Sequence, residues 1–192
     1  MLFILVFLYL AGGAAWDVKT GKLPNRYLLL WLVILGGYAV LFGAAAGGSA
    51  GVSAIRNPAD GVLRFLGFGG RILLATVFMF PLFYFHMMGA GDIKWAALLC
   101  GAIGLVSGAL VIFYGLAAAA VWSFFCLVRK HLFLKRIKYF LNYMMNLPQM
   151  EEVIPYYRAE RDGREAALSL APFLFLGYLF WLFVRVRGGA IG

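Results

Sequence analysis

Acid is scarce in this sequence: eight Asp and Glu stand against 17 Lys and Arg in 192 residues. Charged residues of either sign make up 13% of the chain, while 64% are hydrophobic. A soluble domain of this length needs more polar residues to cover its surface, so the composition excludes an ordinary soluble fold. Cysteine is almost missing as well. Cys100 and Cys126 lie inside apolar runs, belong to no CxxC pair and read as small buried residues. The two histidines, His86 and His131, are far apart, and no zinc-ligand spacing occurs anywhere. A His/Cys metal site is therefore excluded as the basis of function, and neither metal nor cofactor is expected.

What is present is a series of apolar runs of roughly the length that crosses a bilayer. They cover about residues 2–16, 27–46, 66–88, 93–106, 108–128 and 168–184. The first carries no positive charge ahead of it but has Lys19, Lys22 and Arg26 behind it, the reverse of a secretory signal, so it reads as a retained helix. The expectation is an all-α, polytopic membrane protein of about six transmembrane helices with its N-terminus outside. It forms a single membrane domain over 1–192 with one cytoplasmic insertion at 129–167. That topology puts 12 of the 17 Lys and Arg inside and leaves Arg56, Arg64, Arg71, Arg185 and Arg187 outside, as the positive-inside bias requires. The membrane implied is the cytoplasmic (inner) one.

A net charge of +9 in a soluble chain would suggest nucleic acid. Here the basic residues flank apolar runs, and lipid is the expected partner instead. In 129–140 (RKHLFLKRIKYF) they alternate with Leu, Phe, Ile and Tyr, a pattern that suits either an interfacial helix on anionic lipid or a helix end running into the cytoplasm.

Five of the eight acids fall in the polar stretch 151–165, and Asp60 falls in an external loop between Gly47 and Asp60. Asp17 and Asp92 remain, each at the edge of an apolar helix, where an ionisable group is costly and marks function by default. Two spans separate them, and an even number of crossings returns the chain to the same face. Gly21 and Pro24 stop the first helix after Asp17 and re-aim the chain. Asp92 closes the tetrad Gly89-Ala90-Gly91-Asp92, whose two glycines let backbone approach the acid closely, as an extended substrate chain would. Each acid taken singly also has a bland role, Asp92 as a cap on the fourth helix and Asp17 as a snorkelling residue beside Lys19.

Two adjacent carboxyls share a proton, so one serves as base toward water and the other as acid toward a carbonyl. Hydrolysis of a peptide bond needs nothing more. The same acids with glycine-broken helices also fit a small proton- or cation-coupled transporter.

Asp17 followed by Leu23-Pro24-Asn25, with GAGDIK at Gly89–Lys94 later in the chain, resembles the type IV prepilin peptidases, a family of GxGD intramembrane aspartic peptidases. The resemblance runs from residue 1 to about 128 and extends weakly to Ala171-Pro172-Phe173 and Gly177. It implies an aspartic endopeptidase that removes the short basic leader of prepilins or archaeal preflagellin-like proteins at the cytoplasmic membrane face. Asp17 and Asp92 carry over as catalytic. Gly89, Gly91, Lys94, Pro24 and Asn25 carry over as motif or substrate-binding residues, and Lys94 is a candidate for keeping the pair partly ionised or meeting an acidic substrate residue. The cysteine-paired methyltransferase domain of bifunctional members has no counterpart here, so the chain is similar to the small peptidase-only branch.

Overall fold

A computed structural model describes residues 1–21, 24–42, 58–84, 88–129, 138, 141–142, 145 and 169–189. Among these the principal elements are six α-helices: α1 (Leu2–Thr20), α2 (Asn25–Phe42), α3 (Pro58–Tyr84), α4 (Ala90–Ile103), α5 (Leu105–Arg129) and α6 (Ala171–Gly189). All except α4 are long and apolar enough to cross a membrane. The chain is thus a polytopic all-α protein, as its hydropathy predicts. Much of its outward surface is Leu, Val, Ile and Phe, as a lipid-facing surface requires.

The order of packing is circular. α1 lies on α2, α2 on α3, α3 on α4, α4 on α5, α5 on α6, and α6 returns to α1. α4 additionally touches α1 and α2, so four helices surround it. At 14 residues it rises about 21 Å, short of the ~30 Å hydrocarbon layer. Its neighbours cover what lipid would otherwise meet, and Trp95 to Ile103 are buried without interruption. Gly104, at φ 95°, ends α4 and turns the chain directly into α5.

Small residues set the closest crossing. A methyl group on Gly177 of α6 would sit 2.5 Å from both the Val111 carbonyl oxygen and the Gly115 nitrogen of α5. In lipid, where apolar burial between helices gains little, such backbone contact is the main source of association. α1 and α6 run antiparallel: Tyr178 donates to the Phe3 carbonyl at 2.8 Å, Phe7 meets Phe175 edge-on, and Ser169 reaches Asp17. The start of α6 therefore lies at the end of α1.

Several boundaries differ from the hydropathy reading; α4 ends at Ile103 instead of 106, and α6 runs to Gly189 instead of 184. α1 runs through Asp17 to Thr20 instead of stopping at residue 16, because a polar side chain turned inward does not end a helix and Gly21, at φ 66°, does. α3 begins at Pro58, eight residues early, since Pro suits a first turn and Asp60 in that turn complements the helix dipole. Asp60 and Arg64 are consequently helical and not loop residues, while Arg71 lies within the span already expected at 66–88. Arg71 Nε bonds the Gly67 carbonyl one turn back at 3.0 Å, laying its guanidinium along the helix. The insertion expected at 129–167 begins after Arg129, the last residue of α5; apart from 138, 141–142 and 145 it lies outside the described residues, as do Leu23 and both histidines.

Gly177→Ala should force α5 and α6 apart, because the contacts are backbone atoms that no rotamer change can move. We expect a loss of about 1–3 kcal/mol, read as a lower midpoint of unfolding in detergent, whereas Gly188→Ala, where a methyl meets nothing within 4 Å, should leave the midpoint unchanged.

Candidate active site

Asp17 occupies the last turn of α1 and is only 7% exposed, the one buried charged side chain among the described residues. Its backbone carbonyl accepts the N–H of Gly21 at 2.7 Å, which closes the helix one turn beyond the acid. Its Oδ2 accepts the hydroxyl of Ser169, two residues before α6 begins.

Asp92 is the third residue of α4, after Ala90 and Gly91, with Gly89 at the N-cap. Its carboxyl turns back over Gly89, where an added Cβ would lie 3.4 Å from Oδ2. Gly89 itself is extended, at φ −70°, a conformation open to any residue, so space rather than backbone freedom explains it. Gly91 differs: a methyl there would touch nothing within 4 Å. None of the chain's own backbone makes the close approach that the glycine spacing predicts at that position.

The two acids meet electrostatically. Asp92 stands in the first turn of α4, outside the five spanning helices, and its carboxyl is pushed up to about 6. Burial is the larger cause and the nearby charge of Asp17 the second. An upward push of that origin requires the two groups to lie at one end of the bundle, as the parity of crossings predicts.

A lock between α1 and α4 maintains this alignment. Tyr9 donates its hydroxyl to the Trp95 carbonyl at 2.8 Å, and Tyr27 of α2 in turn donates to the Tyr9 carbonyl. The Trp95 ring lies flat enough against α1 that a Cβ on Gly13 would come within 2.9 Å of it. Gly13 is one turn before Asp17, and Trp95 is one turn after Asp92. The same contact thus fixes the height of one acid relative to the other.

The remaining candidates lie around this pair without touching it in the same way. Lys94 is exposed on α4, and neither cause of the Asp92 shift is a cation. Pro24 and Asn25 open α2 beyond Gly21, with Pro24 accepting the N–H of Tyr27 at 3.0 Å. A shallow groove of about 470 Å³ runs between α1 and α6, lined by Ala14, Ala15, Val18, Lys19, Pro172, Phe175 and Leu176. It borders the turn that carries Asp17. Sequence reasoning did not find Ser169, Tyr9 or Trp95. Ser169 was findable: four spans separate it from Asp17, so a polar residue at the start of the last apolar run shares the acid's face.

Comparison with protein-family models, curated proteins and solved structures gives no match to this chain. Its function is read from the site.

If Gly13 sets the spacing of the pair, Gly13→Leu should drive Trp95 out of its seat and separate α1 from α4. The carboxyl titration near pH 6 should then move back toward the ordinary aspartate range, measured by carboxyl-carbon NMR.

Proposed function

We propose that the chain is a membrane-embedded aspartic endopeptidase that cleaves the short basic leader from prepilin-like or preflagellin-like proteins at the cytoplasmic face. The observation that carries this reading is that Asp17 and Asp92 stand on packed helices at the same end of the bundle, where the charge of Asp17 adds to burial in raising the Asp92 carboxyl. Two carboxyls that interact in this way hold one proton between them over a range of pH. In that form one is ready to take a proton from water and the other to give one to a carbonyl oxygen. Water then adds to the carbonyl carbon, and the amide C–N bond breaks as its nitrogen receives a proton. No further group is needed to balance the step.

The surroundings suit such a substrate. The groove between α1 and α6 is apolar except for Lys19, and it ends beside Asp17, as the path of an apolar substrate helix would. The open face at Gly91 leaves room for an extended backbone next to Asp92. The resemblance of Asp17-x5-Leu23-Pro24-Asn25 and Gly89–Lys94 to prepilin peptidases names the leader as the segment cleaved. The basic residues Lys19, Arg26 and Lys94 flank this end and support its cytoplasmic orientation.

The decisive experiment incubates purified protein with a leader-bearing pilin in detergent. Wild type should cleave it; Asp17→Asn and Asp92→Asn should each lower the rate at least about a thousandfold while the helical circular dichroism stays the same. Cleavage that survives either change removes that residue from the chemistry. Ion or proton flux in liposomes with an intact pilin would favour a transporter.

The pH dependence has a defined sign. The working form holds one proton, and that proton leaves with a midpoint near 6. The rate constant kcat/KM should therefore fall about tenfold per pH unit on the alkaline side of that midpoint.

Gly91→Ala separates packing from substrate contact. Alanine favours a helix over glycine by about 1 kcal/mol, and nothing in the chain opposes the methyl, so the protein should be no less stable. If a substrate backbone passes there, KM should nevertheless rise severalfold, and an unchanged KM would remove Gly91 from the binding surface.

A further inference from the structure

We propose that Ser169 is a positioning residue that makes Asp17 the water-activating base and leaves the shared proton on Asp92. The proposal rests on the peptidase reading and assigns the two roles within it. Its basis is a single hydrogen bond that nothing else in the fold requires: the Ser169 hydroxyl donates to Asp17 Oδ2 across 152 residues of sequence.

Ser169 is not needed to start its own helix. The first intrahelical acceptor of α6 is the Leu170 carbonyl, which takes the N–H groups of Phe173 and Leu174, both at 3.1 Å. Pro172 in the first turn has no N–H to satisfy. A serine so near a helix start ordinarily caps that helix, but this one turns away to the acid on α1.

The acid needs such a donor. Asp17 lies in the last turn of α1, where the helix presents its carbonyl ends, the least favourable place on a helix for an anion. It is also the more buried of the two acids, and a buried anion is retained only when hydrogen-bonded. A hydroxyl donated to Oδ2 satisfies that oxygen as an acceptor and favours the ionised carboxylate over its protonated form. Asp92 has the opposite setting. It occupies the third position of α4, no donor reaches its oxygens among the described residues, and burial beside Asp17 raises its carboxyl.

The other titratable groups at this end do not take over the task of Ser169. On α1 itself Lys19 is exposed. On α2 Arg26 is exposed and Tyr27 donates to the Tyr9 carbonyl. On α4 Lys94 is exposed, and the first turns of α6 carry no ionisable side chain. Among the described residues, Ser169 is the donor on Asp17, and Asp92 is the acid that senses its charge.

The resulting step balances. Water gives a proton to Asp17 as its oxygen bonds the carbonyl carbon, and Asp92 gives its proton to the carbonyl oxygen. In the collapse of that intermediate, Asp92 regains a proton from the hydroxyl while the proton on Asp17 passes to the leaving nitrogen. The products are a free carboxyl and a free amine, and the pair is restored.

The test compares wild type, Ser169→Ala and Ser169→Thr in two assays. The first is the pH profile of pilin cleavage. Ser169→Ala should lower kcat roughly tenfold, about the equivalent of one hydrogen bond to a charged group, and move the whole bell-shaped profile to higher pH, since the ionised pair has lost a donor. Ser169→Thr, which keeps the hydroxyl, should restore both. The second assay reads the carboxyl carbons of ¹³C-labelled aspartate in detergent; the chain has four aspartates, and Asp17→Asn and Asp92→Asn assign the pair. Here too the titration should move upward in Ser169→Ala and return in Ser169→Thr. A titration that stays at the wild-type pH in Ser169→Ala overturns the inference, whatever the rates do. A wild-type protein that leaves pilin intact overturns the peptidase reading, while the titration still decides the role of Ser169.

Discussion

The geometry of the site depends on a helix that cannot cross the membrane on its own. α4 falls short of the hydrocarbon thickness by several ångströms, so its ends and its polar first turn are tolerable only with protein around them. Placing it among α1, α2, α3 and α5 meets that constraint. A full-length span would have carried Asp92 to the headgroups. A short one, surrounded on several sides, holds the carboxyl partly buried at the edge of the bundle and near a second helix end. Burial is then the larger part of what keeps a proton there, and the neighbouring acid is the smaller part.

Distances inside such a site have to be set by something rigid. In water the hydrophobic effect would hold these helices together with some freedom to slide, but lipid supplies little of that force. The chain uses interlocking shapes and a few buried hydrogen bonds in its place. Trp95 rests on the bare backbone of Gly13, Tyr9 bonds the Trp95 carbonyl, and Tyr27 bonds the Tyr9 carbonyl. Three helices are pinned by two hydroxyls and one indole. α6 is fixed separately, by the backbone contact of Gly177 with α5 and by Tyr178 on Phe3. The position of Ser169 opposite Asp17 follows from that second attachment.

Much of this was legible in the sequence because lipid makes one-dimensional patterns informative. Runs of apolar residues give the helices, and the parity of crossings brings Asp17 and Asp92 to one end before any coordinate is known. Boundaries were less legible, for a physical reason. Hydropathy registers where polarity changes, but α1 passes straight through Asp17 and ends at Gly21, and α3 takes in Asp60 and Arg64. Helices follow backbone hydrogen bonding, and a long side chain such as Arg71 can lie along the surface while the helix continues. Ser169, Tyr9 and Trp95 were missed because their importance lies in contacts between segments far apart in sequence, and Tyr and Trp in an apolar run look like any other bulk.

The two acids also differ in kind, which their common motif conceals. One sits at the C-terminal end of α1 and the other at the N-terminal end of α4, so the helix dipoles act on them in opposite directions. On dipoles alone Asp92 would carry the charge and Asp17 the proton. Solvation reinforces part of that preference, because Asp17 is the more deeply buried. Among the described residues, the donor placed on Asp17 by Ser169 works against both effects. A hydrogen bond to a charged group contributes about 1.5–3 kcal/mol, at least as much as a helix-end interaction of about 0.3–1 kcal/mol, or up to ~2 where partly buried. The balance between the two protonation states is therefore close, and a single hydroxyl brought in by the last helix is large enough to decide it.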